Sequence, residues 1–468
     1  MYNKKAHVHF VGIGGIGMSG IAKILTLQGY TVSGCDTNIE QKSIQELMQL
    51  GCLISEGNNT TACADPSIDI LVYSSAIHKQ SPEIVSAQKR GIPTISRAVM
   101  LAEIMRTKYS IAISGSHGKT TTTSLIAHIL IETKKDPTVI VGGHLQTLST
   151  NAHFGAGDFL VAEADESDKS LLRLSPTIAV LTNIDLEHLD TYKNIQDVQA
   201  TFKQFLLSVP FYGKAIVYID DPYIQEILPL PQIKTITYGL SPKADLYAQD
   251  IILCKAHSTC TIYTCGQHQA LGELTVPMPG IHNVLNTLAA LSIALDLKIP
   301  FEQATQALKT FTGIERRFSF NGLYKNAEIF DDYGHHPTEI YHTLEVARKR
   351  TNKDLIVIFQ PHRYTRTKFL WKEFINAFLS IKTEHLIITD IYPASEDPIP
   401  EITSKQLVTA LQKAAPTRNI TYIPLDKIDT NQEFAAIKSH LDSIITPDDL
   451  VLLLGAGKIN KLTKKLGL

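Results

Sequence analysis

The run ISGSHGKTTTTSLIAHIL, opening at Ile113, gathers residue types that can hold a triphosphate. An apolar strand-like segment passes into Gly115, Ser116, His117 and Gly118, then Lys119, Thr120 and Thr121 at the head of a helical pattern. Glycines let the backbone turn with its N–H groups facing inward. Lysine adds a cation, and threonine hydroxyls stand where a phosphate-bound Mg²⁺ is held. The helix aims the positive end of its dipole at the same place. Only Ser116 and His117 separate the glycines, a shorter turn than the general G-x-x-x-x-G-K-[ST] loop.

AEADESD packs Glu163, Asp165, Glu166 and Asp168 behind another strand-like segment. Acids at such a strand end bind phosphate-bound Mg²⁺ in α/β proteins, and a solvated acidic loop is the plainer alternative. TNIDLEHLDTY sets His188 past a further strand, beside Asp185, Glu187 and Asp190. That imidazole could take a second metal, although Mg²⁺ prefers oxygen and a lone histidine is more often structural. Further on, DDYGHHPTEI carries Asp331, Asp332, His335 and His336 before a helix started by Pro337. FQPHRYTRT carries His362, Arg363 and Arg366, two arginines spaced to clamp a carboxylate or phosphate. Arg348 and Lys372 read as merely solvated charge.

These groups need a scaffold. At the N-terminus, a strand from His7 to Val11 leads into GIGGIGMSG, with Gly12, Gly14 and Gly17 in the G-x-G-x-x-G spacing, and Asp36 ends the next strand candidate. This is a diphosphate-binding turn and does not by itself specify NAD. Strand and helix patterns alternate to a first boundary before Ser110–Ser114, and strands recur at Phe159–Ala162, Ile178–Thr182 and Ala215–Ile219. Between Asp245 and Met278, short alternating runs rich in Thr, Tyr and Ile predict antiparallel strands. PGIHNVLNTLAALSIAL predicts a helix with Asn283 and Asn286 on one face. A second boundary falls near Thr312–Arg316. Strands at Leu355–Phe359, Leu386–Thr389 and Leu450–Leu454 then alternate with amphipathic helices. The closing GAG at Gly455–Gly457 reads equally as a ligand-facing turn or as strand-end packing. The fold expected is α/β in three domains, 1–108, 109–314 and 315–468.

The formal charge of −2 gives no general attraction to nucleic acid or anionic lipid. No apolar run reaches membrane-spanning length, and the start runs directly into a strand instead of a secretory h-region. Six cysteines without CxxC spacing argue against a structural zinc site or a disulfide framework and fit reduced thiols in a cytoplasm. The assembly expected is a monomer or homodimer.

Taken together the motifs resemble the Mur ligases. GIGGIGMSGIA, SSAI (Ser74–Ile77), GSHGKTTTT, EADESD, TNIDLEHLDTY, PGIHNVLN, RRF (Arg316–Phe318), DDYGHHPTE, FQPHRYTRT and the terminal GAG lie in that family's order over essentially the whole chain. The short phosphate loop is the family's own form. The resemblance implies an N-terminal Rossmann-like UDP-binding domain, a central P-loop ATPase-like domain with a small antiparallel sheet, and a C-terminal Rossmann-like domain binding an amino acid. It implies ATP with Mg²⁺ (Mn²⁺ as an alternative) and an amide ligase that activates a carboxylate as an acyl phosphate. The implied substrates are UDP-N-acetylmuramate and L-alanine.

By the same resemblance, Lys119 would hold the β/γ-phosphates within a loop of Gly115, Ser116, His117, Gly118, Thr120 and Thr121. Thr120 and Glu163 would ligate one metal and His188 a second. Asn283, Asn286, Arg317 and Asp332 would complete the ATP site. Arg363, Arg366, His362 and Tyr333 would receive alanine, and Gly12, Gly14, Gly15, Gly17, Asp36 and Ser75 the sugar nucleotide. Phe205 stands where other Mur ligases carry a carbamoylated lysine, and nearby Lys203 is not assigned that role. A second reading within the family attaches a preformed murein peptide. From a different class, an NAD-dependent oxidoreductase would leave Lys119 and the acidic cluster unexplained.

Overall fold

Strands covered on both faces read as unbroken apolar runs, and LIVIF at Leu355–Phe359 and LVLLL at Leu450–Leu454 are buried at every position. The computed structural model describes residues 5–57, 61–74, 76–145, 150–267, 269–425 and 432–468. Ser75 lies outside the described residues.

Three sheets organise the described residues. The first is five parallel strands in the order Leu53–Glu56, Thr31–Asp36, His7–Val11, Ile70–Tyr73, Thr94–Ser96, a doubly wound arrangement. The second has ten strands, one of them Thr150–His153, antiparallel to Thr138–Leu145 at one edge. Its parallel part runs Thr138–Leu145, Phe159–Glu163, Tyr109–Ser114, Ile178–Leu181, Lys214–Tyr218, Lys234–Gly239. The antiparallel strands Leu246–Leu253, Ser258–Thr264 and Gly272–Val276 continue that same sheet, because Leu246 and Tyr247 pair in parallel with Tyr238 and Gly239. The third sheet, of six strands, is parallel except for the hairpin of Ser319–Tyr324 with Ala327–Asp332 at its edge.

Helix Ile16–Leu27 and helix Arg97–Met105 place Met18, Ile21, Leu101 and Met105 in one apolar cluster with Leu160 and Leu171, so the first two sheets share packed core. Two pairings position the chemistry. Ile113 sits opposite Glu163, and Ser114 opposite Leu181, so three parallel strands end side by side. The loops beyond carboxyl ends of parallel strands are where such sheets bind ligands.

Candidate active site

The phosphate loop leaves strand Tyr109–Ser114 and enters helix Lys119–Glu132. Gly115 and Gly118 have φ of 133° and 81°. A Cβ on Gly115 would collide with Thr182 Oγ1, and one on Gly118 with Asn286 Oδ1. The turn is laced to the next strand end: His117 N donates to Asn183 Oδ1 (2.8 Å), and Thr182 Oγ1 donates to His117 O (2.6 Å). Lys119 Nζ donates to the carbonyls of Gly115 (2.6 Å) and Ser116 (3.0 Å) and to Glu166 Oε1 (2.8 Å). Burial works to lower the pKa of that ammonium, but the carboxylates of Glu166, Glu163 and Glu187 outweigh it and raise it.

Thr120 Oγ1 donates to both carboxylate oxygens of Glu163 at 3.2 and 3.1 Å. A hydroxyl beside a carboxylate is an oxygen donor set suited to Mg²⁺. Farther out, His188 Nε2 lies 3.3 Å from Glu166 Oε1 and 3.9 Å from Glu187 Oε2. Glu166 Oε2 and Glu187 Oε1 are buried without a hydrogen-bond partner among the described residues. Orphaned buried carboxylate oxygens are costly unless a cation completes them, so this group also fits a metal.

Charge reaches this wall from the third sheet. His117 Nε2 is 2.9 Å from Asp185 Oδ2, and its Nδ1 is 3.6 Å from Glu339 Oε1. Burial opposes protonation of His117, yet Asp185 and Glu339 overcome it and push its pKa up to about 10. Thr338 Oγ1 donates to Asp185 Oδ2 (2.8 Å), and Arg317 lies 3.6 Å from Glu339. Burial raises the Glu187 carboxyl, but His117, His336, His335 and Arg366 together hold it below the ordinary range.

An open cavity lies beside the loop, lined among others by Gly118, Thr121, Asn283, Asn286, Arg317 and Asp332. Asn286 Nδ2 donates to Asn283 Oδ1 (3.4 Å), and Asn283 Nδ2 to Pro279 O (2.8 Å). Asp332 is already committed: its oxygens accept from the N–H groups of Phe318 and Gly334, both at 2.7 Å.

A second groove joins Glu187, His188 and Asp190 to Arg363 and Arg366. Arg363 lies 3.4 Å from Asp190, and Arg366 is 3.8 Å from Glu187. Arg366 also donates to His362 Nδ1 at 3.2 Å, and burial pushes His362 down to about 3, aided by His335 and Arg366. Tyr333 is not brought into this groove. It stacks beneath Arg316 and Arg317, at 4.7 and 5.6 Å from their guanidinium carbons.

At the N-terminal turn, Asp36 accepts from Gly14 N (2.8 Å) and Asn38 N (3.1 Å), so its visible task is shaping the glycine loop. Gly17 faces Arg97, which reaches Asp165 across the sheet boundary at 3.4 Å. The terminal GAG is packing: Arg316 donates to Gly455 O (2.5 Å), and Lys458 N to Gln360 Oε1 (2.7 Å). Arg348 is not merely solvated, since it donates to Glu384 Oε2 and Thr351 O, each at 2.8 Å, and so ties helix Pro337–Arg350 to its surroundings.

Glu166, Asp185, Glu187 and Glu339 recur among the causes of the pKa shifts here, yet the sequence names the first three only as members of acidic clusters and Glu339 not at all. Each lies inside or next to a motif already noticed. Spacing cannot tell which acid of a dense cluster turns inward.

The match to known families follows from this site. The Mur ligase family catalytic domain covers residues 7–109, the Mur ligase middle domain 113–294, and the Mur ligase glutamate ligase domain 316–457. The chain belongs to the Mur ligase family. A UDP-N-acetylmuramate–L-alanine ligase of Geotalea uraniireducens is 48% identical over 462 residues, 98% of this chain and 97% of that protein. The solved UDP-N-acetylmuramate–alanine ligase of Thermotoga maritima superposes with a TM-score of 0.78 at 26% identity, over 98% of both chains. A murein peptide ligase of Psychrobacter arcticus shares the fold, with a TM-score of 0.69 at 24% identity.

Proposed function

We propose that this protein is an ATP-dependent ligase joining L-alanine to the lactyl carboxylate of UDP-N-acetylmuramate, in cytoplasmic peptidoglycan precursor synthesis. The observation that carries the reading is convergence: the Lys119 loop, the Glu187–His188 wall and Arg366 from the third sheet meet at one place. The name borne by relatives of near-full coverage supports alanine over a preformed peptide. Residues 1–108 would bind the sugar nucleotide, 109–314 ATP, and 315–468 the amino acid.

A carboxylate is a poor acyl donor because oxide is a bad leaving group. Attack of the lactyl carboxylate oxygen on the γ-phosphorus forms an acyl phosphate and releases ADP. The alanine amine then adds to the carbonyl, loses a proton, and phosphate departs. Lys119, drawn from Glu166 toward the triphosphate, would offset charge on the moving phosphoryl group. Asn283, Asn286, Arg317 and Asp332 would hold the nucleotide in the cavity. Thr120 with Glu163, and His188 with the orphaned acids, would hold Mg²⁺, which supplies charge neutralisation when bound. Arg363 and Arg366 would clamp the alanine carboxylate and turn its amine toward the carbonyl, with His362 orienting Arg366. Tyr333 would act on amino-acid size only indirectly, through Arg316 and Arg317. Gly12, Gly14, Gly15, Gly17 and Asp36 would cradle the UDP diphosphate.

The test is phosphate release from ATP with UDP-N-acetylmuramate, comparing alanine, serine, glycine and a murein tripeptide. Release that depends on alanine and yields the alanyl product supports the assignment. Preference for the tripeptide, or indifference to the amino acid, contradicts it.

A further inference from the structure

His9, Cys35 and Cys63 meet in the interior of the first sheet, away from the phosphate loop, and the mechanism above uses none of them. All three are buried, at 0%, 0% and 4% exposure. His9 Nε2 lies 3.2 Å from Cys63 Sγ, and the two sulfurs are 3.8 Å apart. Donor atoms of the three residues fall within 4.8 Å of one another. A tetrahedral Zn²⁺ with bonds of ~2.3 Å to sulfur and ~2.05 Å to nitrogen sets S···S at about 3.8 Å and S···N at about 3.5 Å. The sulfur spacing already matches, His9 Nε2 needs a few tenths of an ångström from Cys63 Sγ, and its distance to Cys35 Sγ lies within 4.8 Å.

The far side of the imidazole is braced as metal-bound histidines are. His9 Nδ1 is 2.8 Å from Ser33 Oγ, which lies 2.7 Å from His7 Nε2, and His7 Nδ1 is 2.9 Å from Ser67 Oγ. Two thiols and an imidazole are soft donors that select Zn²⁺-like ions over Mg²⁺. We propose that His9, Cys35 and Cys63 form a binding site for a thiophilic divalent cation of the Zn²⁺ class beneath the N-terminal glycine loop. Binding converts both thiols to thiolates and releases two protons to solvent, and the neutral metal–dithiolate unit suits an apolar interior.

The site bears on the loop above it. Cys35 O accepts the N–H groups of Gly12 (2.9 Å) and Ile13 (3.1 Å), and the next residue, Asp36, accepts that of Gly14. Occupancy should therefore slow amide exchange at residues 12–14.

Full-length protein, reduced and metal-free, is titrated with Co²⁺ and then Zn²⁺. The expected result is a thiolate-to-cobalt charge-transfer band saturating at one equivalent, displaced by Zn²⁺ with proton release. Cys35→Ser and Cys63→Ser should abolish the band, while Cys254→Ser with Cys265→Ser should keep it. Ser33→Ala, which leaves the ligands intact, should weaken binding about 10-fold or more. Should the cysteine variants fail to fold, Zn²⁺ protection of Cys35 and Cys63 from alkylation in the native chain decides the matter. Absence of the band, its survival in both cysteine variants, or unprotected thiols would overturn the proposal.

Discussion

At the scale of single residues, the site is a contest between burial and charge, and charge prevails. Lys119 is held by Glu166 and two carbonyls. Lys119→Ala is expected to cut kcat by about 10²–10³-fold or more, with sugar-nucleotide affinity unchanged by calorimetry. His117 gives a pH signature. Its pKa is raised from 6.5 to about 10, so the stability it lends is full below 6.5 and is lost as pH rises through 10. Wild type should melt above His117→Gln at neutral pH, and the gap should close by about pH 10.5. A constant gap would mean that the imidazolium is not what the carboxylates hold. Legibility at this scale was uneven. Lys119 and Thr120 stood out because a glycine turn limits where they can point, whereas Glu163 and His188 were picked from their acidic surroundings only through the family resemblance. Glu166, Glu187 and Glu339 did not stand out, because their inward turn is decided by neighbours far away in sequence.

Among elements, parallel strands were the most readable, since burial on both faces leaves an apolar run flanked by turn residues. Leu355–Phe359 and Leu450–Leu454 appear with the predicted bounds. The hairpin Ser319–Asp332 was missed because its outer strand is half solvated and carries Asn and Gly amid apolar residues. The antiparallel run after Asp245 was seen, but its continuity with the parallel strands rests on pairing at Tyr238 and Gly239, which no local pattern announces. Helix Ile195–Leu207 separates two neighbours sharply: Phe205 is fully buried, while Lys203 faces solvent. Phe205→Ala should lower unfolding free energy by about 3–5 kcal/mol in denaturant titration. Lys203→Ala should leave ATP turnover unchanged, and a large loss would return a metal-binding lysine to consideration. Gly118→Ala, at φ 81° with Asn286 in the way, should raise the KM for ATP with the fold intact by circular dichroism.

For the whole molecule, the central and C-terminal sheets are joined through charged and polar contacts: Thr338 to Asp185, His117 to Glu339, Arg363 to Asp190 and Arg366 to Glu187. The first and central sheets instead share apolar core. Polar interfaces reform readily, so motion should concentrate at the C-terminal unit. Small-angle scattering is expected to show a smaller radius of gyration with nucleotide and sugar nucleotide present. An unchanged radius would argue against closure over the reacting carbonyl. No helix among the described residues is long and apolar enough to cross a membrane.

Oxygen tracing reaches the chemistry itself. With ¹⁸O in both lactyl carboxylate oxygens, an acyl phosphate sends one label into inorganic phosphate and leaves the other in the new amide. Label in phosphate at one atom per turnover is the predicted result. Unlabelled phosphate, or label in AMP, would contradict the account.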